Sequence, residues 1–253
     1  MTQTDYPITE QGAALTYRAV PSHFPPIDLF EDIEDDPANW EVLIDLESLT
    51  NDRIRQEVGD ISLIPVEQRL QGPGSTPIMA AFTHVPADNM RFSCPDFGAY
   101  YAATAPEVAI HEVAYHFDRR MKASLITADM SNPSLYQEDA DYRIYQSSID
   151  GPAYDLREIP ADDPCLDTED YLPSVTFARA IRATETSTIY FPSLRKNIFG
   201  HFNICALNPL RVGNLQRPIQ TKHVTIHFSG TEVKHFYDDD LKERFKIQFE
   251  PYT

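Results

Sequence analysis

Ala99-Tyr100-Tyr101-Ala102-Ala103-Thr104-Ala105-Pro106-Glu107 is the stretch on which the fold turns, because it reads as a strand running straight into a helix. Ala99 to Ala103 is short, apolar and aromatic, as a buried strand requires. Thr104, with Glu107 three residues on, has the form of a capping box. Ile110, Val113, Ala114, Phe117 and Met121 then recur at helical spacing, so a helix with one apolar stripe is expected.

Towards the C-terminus the apolar pattern is short and β-like: Ser124 to Thr127, Tyr142 to Tyr145, Thr186 to Phe191, Asn203 to Leu207, His223 to Phe228 and Phe245 to Phe249. Towards the N-terminus Ala14 to Val20 reads as a strand. Asp36-Pro37 supplies an N-cap followed by proline at the first helical position. Trp40, Leu43, Ile44, Ile54 and Val58 keep helical spacing up to Gly59, with a break expected near Thr50-Asn51-Asp52. Proline and glycine cluster in Gln71 to Pro77, the best boundary. Strands with few helices between them predict an α+β fold with a mixed or antiparallel sheet. Residues 1–75 are expected to form an N-terminal extension, a short strand plus a helical segment packed on the main domain of residues 76–253. No internal repeat supports a solenoid or propeller.

Over 253 residues, 21 Lys+Arg stand against 39 Asp+Glu, a formal net charge of −18, which argues against a direct nucleic-acid partner. A hydrophobic fraction of 42% supplies a packed core and excludes wholesale disorder. Cys94, Cys165 and Cys205 are odd in number and far apart, with no zinc or redox pair among them. Met1 to Ala13 lacks the basic start and apolar run of an export signal, and no apolar run approaches the roughly 20 residues of a membrane span. A cytoplasmic protein without a membrane partner is the expectation.

Several tempting motifs have plainer readings. His111-Glu112 and His116 resemble a zinc signature, but the histidines are five apart, which turns the second ring about 140° around the helix. His223 and His227 share a strand face without a third ligand, so exposed strand histidines are expected there. Ser193 ends an apolar run and lacks the glycines of a nucleophile elbow; a serine bonding its own turn is the plain alternative. Glu112 lies nearly opposite the apolar stripe, where periodicity predicts a solvated side chain. Val108, Tyr115 and small alanines on that second face nevertheless leave room for a packed surface around a working carboxylate. No Walker A or Rossmann glycine pattern occurs, and the acidic runs match no EF-hand spacing.

Four segments taken together resemble the RES-domain family: Tyr17-Arg18-Ala19-Val20, Arg91-Phe92, Tyr100 to Glu112, and Tyr190 to Arg195. The family pattern is an arginine followed by an aromatic, a tyrosine ten residues after that arginine, and a glutamate eleven further on; Arg91, Tyr101 and Glu112 reproduce it. Leu49-Thr50-Asn51 with Arg53, and Ile78 to His84, are similar to the longer members, so the resemblance runs from about residue 14 to about residue 212. It departs after Ser193, where Lys196-Asn197-Ile198-Phe199-Gly200-His201 stands in place of a glycine pair. The resemblance implies a single RES domain similar in fold to ADP-ribosylating toxins. It also implies an NAD-degrading toxin, a phosphorylase or glycohydrolase, held beside an antitoxin that carries a helix-turn-helix domain. It further implies Glu112, Arg91, Tyr101 and Ser193 as catalytic residues, with Arg18, Arg91, Tyr101 and Ser193 binding substrate.

The chemistry suits those residue types. Breaking the nicotinamide-ribose bond builds positive charge on the sugar, which an anion stabilises, and Glu112 is the candidate. Guanidinium groups bind pyrophosphate, a task for Arg18 and Arg91. Tyr101 is suited to stack on nicotinamide or orient the ribose, and Ser193 to hydrogen-bond the leaving amide or a ribose hydroxyl. NAD is then a substrate, inorganic phosphate a co-substrate, and no metal or bound cofactor is expected. Two rivals remain: a protein ADP-ribosyltransferase using the same pocket, and a sensor that binds NAD or a related nucleotide without turning it over.

Overall fold

The computed structural model describes residues 6–23, 29–31, 36–49, 57–127, 136–196, 198–230 and 232–249. Among them the strands are β1 Ile8–Thr9, β2 Ala13–Pro21, β3 Tyr100–Ala103, β4 Gln137–Ile149, β5 Ala153–Asp155, β6 Thr188–Phe191, β7 Asn203–Ala206, β8 Ile219–Ser229, β9 Glu232–Asp238 and β10 Glu243–Lys246. They join in one sheet in the order β1-β5-β6-β7-β3-β2-β4-β8-β9-β10. Every neighbouring pair is antiparallel except β5 and β6. The helices are α1 Trp40–Ser48, α2 Thr76–Thr83, α3 Pro106–Thr127 and α4 Leu172–Ile181. The expected α+β fold with a mostly antiparallel sheet is therefore present.

Alternation along the strands divides the helices between the two faces. Tyr100, Ala102, Tyr190, Ile204 and Ala206 turn to one face and pack with Trp40 of α1 and Ile78, Met79 and Phe82 of α2. Cys205, Ile189 and Phe191 turn the other way, against Val175, Phe177, Ala178 and Ile181 of α4. The stripe Ile110, Ala114, Phe117 and Met121 of α3 packs with Ile144, Val224, Ile226 and Phe228 of β4 and β8. Of the two strands in the N-terminal segment, β1 lies at one edge of the sheet and β2 is internal, pairing with β4 from Ala13 opposite Ile149 to Pro21 opposite Tyr142.

On its other side β2 is registered with β3 at Tyr17 and Ala103. One residue on, the Arg18 guanidinium donates from Nη1 to the Tyr101 carbonyl at 3.1 Å, a side-chain bond where a ladder would have continued. The sheet is thereby split beside β3, and the crevice that matters below lies at this split.

Several local expectations need correction. The capping box does not form. Ala105, not Thr104, precedes the first helical residue Pro106, and its carbonyl accepts from Ala109 N–H at 3.2 Å. Thr104 Oγ1 instead accepts from Phe202 N–H at 2.9 Å, tying the end of β3 to the start of β7. Ser124 to Thr127 is the last turn of α3 rather than a strand; Ser124 Oγ donates back to the Arg120 carbonyl at 3.0 Å, and so short an apolar run fits either period. The strand expected at Phe245 to Phe249 lies at Glu243–Lys246. Pattern reading did not find α2, α4, β1, β5 or β9. The helix expected from Asp36-Pro37 does begin there, as a 3-10 turn in which the Asp36 side chain accepts from Ala38 N–H. The break expected near Thr50-Asn51-Asp52, and Ile54, lie outside the described residues.

Candidate active site

Register sets the floor of the crevice. Ala103, Asn203 and Phe191 stand in one cross-strand row of β3, β7 and β6, and Tyr101, Cys205 and Ile189 in the next row on the same face. The short turn after Ala103 brings the second face of α3 over these rows, where Ala105, Val108 and Ala109 pack with Ala103. Glu112 is one helical turn beyond Val108 and follows it onto the same surface. The face that periodicity assigned to solvent is packed, and Glu112 lines a cavity of about 240 Å³ together with Arg18, Arg91, Tyr101, Arg195 and Asn203.

Both hydrogen bonds that Glu112 accepts fall on Oε1: Asn203 Nδ2 donates at 2.8 Å and Ser193 Oγ at 3.1 Å. Among the described residues Oε2 has no protein donor. Burial pushes the Glu112 carboxyl above the usual carboxylate range, opposed by the Asn203 bond, the Arg195 charge, the Ser193 bond and the Arg91 charge. Those four groups favour the ionised form against the burial that opposes it, and one carboxyl oxygen is left uncommitted.

The remaining residues are placed as follows. Arg91 donates from Nη1 to the carbonyls of Cys165 at 3.2 Å and Asp167 at 3.0 Å, and lies 5.4 Å from the centroid of the Tyr171 ring. The guanidinium is aimed by backbone oxygens and an aromatic face, with its second terminal nitrogen uncommitted among the described residues. The Tyr101 hydroxyl accepts from Phe92 N–H at 3.0 Å and shares a bond with Ser93 Oγ at 3.1 Å. Its ring face, not its hydroxyl, is therefore what it offers a ligand. Arg18 stands 4.8 Å from the centroid of the Tyr100 ring, and its buried Nε has no hydrogen-bond partner. Ser193 Oγ also accepts from Lys196 N–H at 3.2 Å, so the turn-stabilising reading and the site reading are both true of one hydroxyl. No imidazole of the described residues bonds it, which leaves no serine-histidine pair for a hydrolase.

Arg18, Arg91, Tyr101, Glu112 and Ser193 thus converge from β2, the turn before β3, β3, α3 and the turn after β6. Sequence reasoning missed two neighbours. Asn203 is 4% exposed at the start of β7 and donates the shortest bond to Glu112. Arg195 lies 3.6 Å from the centroid of the Tyr115 ring, and its charge acts on Glu112. An asparagine opening an otherwise apolar strand is a detectable signal that a polar partner is buried there, but not of which one. His116 lines the cavity as well; the surrounding protein and the charges of Arg195, Arg119 and Arg91 push its pKa down, so its ring is neutral at pH 7. His111 is turned away and bonds the Glu107 carbonyl through Nδ1 at 2.7 Å. Among the described residues no group of three or more His, Cys, Asp and Glu side chains is arranged to hold a metal, and no helix is long and apolar enough to cross a membrane.

A carboxylate with one free oxygen, flanked by two guanidinium groups and an aromatic face, can stabilise a cationic carbon while binding anionic groups beside it. A family model described as the RES domain matches residues 67–229, more than half of the chain. No curated protein matches it.

Proposed function

The chain belongs to the RES-domain family, and from that membership we propose that it degrades NAD by cleaving the nicotinamide-ribosyl bond, with phosphate or water as acceptor. The observation that carries this reading is Glu112, a half-buried carboxyl group held through Oε1 by Asn203 and Ser193 with Oε2 left for a ligand. In the proposed reaction the bond between ribose C1′ and the pyridinium nitrogen breaks, and its electron pair neutralises nicotinamide. Positive charge grows on the sugar as the leaving group departs. A carboxylate about 4 Å from that charge contributes on the order of 4 kcal/mol at an effective dielectric near 20, about a thousandfold in rate. Attack by a phosphate oxygen at C1′ then gives a phosphorylated ADP-ribose, and attack by water gives ADP-ribose and a proton.

Arg91 and Arg18 bind the pyrophosphate in this scheme, Tyr101 stacks through its ring, and Ser193 orients the carboxylate. Likeness of fold to ADP-ribosylating toxins belongs to the same proposal, as does a toxin role restrained by an antitoxin with a helix-turn-helix domain. Any DNA contact would fall to that partner, because a chain of net charge −18 is repelled by phosphate backbone.

The test is nicotinamide release from NAD by the purified protein, with and without inorganic phosphate. Phosphate-dependent release is expected of a phosphorylase and phosphate-independent release of a glycohydrolase, in either case about a thousandfold slower in Glu112→Gln. No release in either buffer from folded protein would sink the proposal in favour of protein ADP-ribosylation or nucleotide sensing.

A further inference from the structure

A second cavity, of about 680 Å³, adjoins the one that holds Glu112; Arg18, Met90 and Tyr101 line both. The two differ in size in a way that bears on the substrate. Cavities that enclose a drug-sized ligand usually measure roughly 300–1,000 Å³. The Glu112 cavity, at about 240 Å³, falls below that range. The larger one is on the α2 side of the split sheet, with Ala80 and Ala81 of α2 in its wall.

Its chemistry is that of a site for a nucleoside phosphate. Arg18 and Arg143 bring guanidinium groups to its lining on a chain whose overall charge is −18. Arg18, whose buried Nε has no hydrogen-bond partner, is among the residues that line both cavities. Tyr145, also in the lining, supplies an aromatic ring of the kind on which a base can stack. Of the two carboxylates in the lining, Glu57 and Glu31, the second is already engaged with Thr76 at the first turn of α2, accepting from its backbone N–H at 3.1 Å and from its hydroxyl. Leu29, Glu31 and Glu57 precede residue 67, so part of this wall comes from chain outside the matched family region.

We infer that the larger cavity binds the nucleoside-phosphate end of the substrate remote from the scissile bond, with Arg18 at the shared wall contacting the linking phosphates. This assignment rests on the proposed NAD cleavage. It divides the dinucleotide between two faces of the sheet: the reacting ribose under α3 beside Glu112, the other nucleoside under α2.

Adenosine 5′-monophosphate is the probe. Calorimetric titration of the full chain is expected to show binding whose affinity is unchanged by saturating nicotinamide, since the two fragments occupy different cavities. Ala80→Phe, which puts a ring into the larger cavity, is expected to weaken that binding at least tenfold. Displacement of the nucleotide by nicotinamide, absence of nucleotide binding, or an unaltered affinity in folded Ala80→Phe overturns the inference. The wild-type competition needs no variant, so a poorly folded Ala80→Phe does not remove the test. Nicotinamide release from NAD is followed in parallel to separate the two readings. Release without nucleotide binding defeats the subsite alone; nucleotide binding that Ala80→Phe weakens, without release, defeats the cleavage reaction alone.

Discussion

Glu112 makes the site a source of instability as well as of chemistry. Its carboxyl titrates above the usual carboxylate range in the folded chain because burial outweighs Asn203, Arg195, Ser193 and Arg91. A folded-state pKa above the unfolded one means the native state holds the proton more tightly, so this group lowers stability as pH rises through that interval. Glu112→Gln is therefore expected to raise the melting temperature at pH 8, with a gain that shrinks as pH falls below the raised pKa. Differential scanning calorimetry at several pH values checks this; a variant no more stable than wild type at pH 8 contradicts it. Asn203 acts through the carboxylate, making it a positioning residue. Asn203→Leu removes a donor to the ionised form and raises the Glu112 pKa further. The acidic limb of the kcat/KM profile for nicotinamide release should move to higher pH. A fall in activity with no movement of the limb would mark a merely structural role.

At the scale of elements, the N-terminal segment is woven into the core rather than attached to it. Trp40, at the start of α1, is fully buried, with its ring centroid 5.4 Å from that of Phe30. It shares a cluster with Tyr100 of β3 and Ile204 of β7. Trp40→Ala should cost about 3–5 kcal/mol and lower the melting temperature by on the order of 10 °C in a single transition. Two separate transitions would show the segment folding by itself. Gly98, just before β3, carries a comparable constraint from α2: a Cβ there would meet the Ala81 carbonyl oxygen at 2.4 Å and Phe82 Cα at 2.7 Å. No side chain tip can yield, because the obstacles are backbone. Gly98→Ala is expected to destabilise by about 1–3 kcal/mol, read in denaturant unfolding. It would also shift β3, which supplies Tyr101.

For the whole molecule, the proposed activity predicts a cellular effect: overproduction of wild type should deplete NAD several-fold, and Glu112→Gln should leave it at the control level. Depletion by both would place the chemistry elsewhere. Much of the architecture was legible in the chain. The short apolar runs at β2, β3, β6, β7 and β8 and the period of α3 are local properties, written in neighbouring residues. The spacing of Arg91, Tyr101 and Glu112 is local too, spanning one turn, one strand and the start of one helix. α2 and α4 were illegible because each is short, with Pro77 and Pro173 at the second position, and follows a proline- or acid-rich stretch that reads as a loop. Asn203 was illegible as a partner of Glu112 for a different reason: 91 residues separate them, and only the antiparallel register of β7 against β3 carries the amide beneath the helix. The same holds for the split between β2 and β3 and for the two cavities that meet at Arg18. Sequence by itself determined the helix α3, most of the central strands and the candidates Arg18, Arg91, Tyr101, Glu112 and Ser193, because those are written in near neighbours and short spacings. Tertiary structure alone decided which of them meet, because cross-strand pairing and layer packing are settled by burial summed over the whole chain.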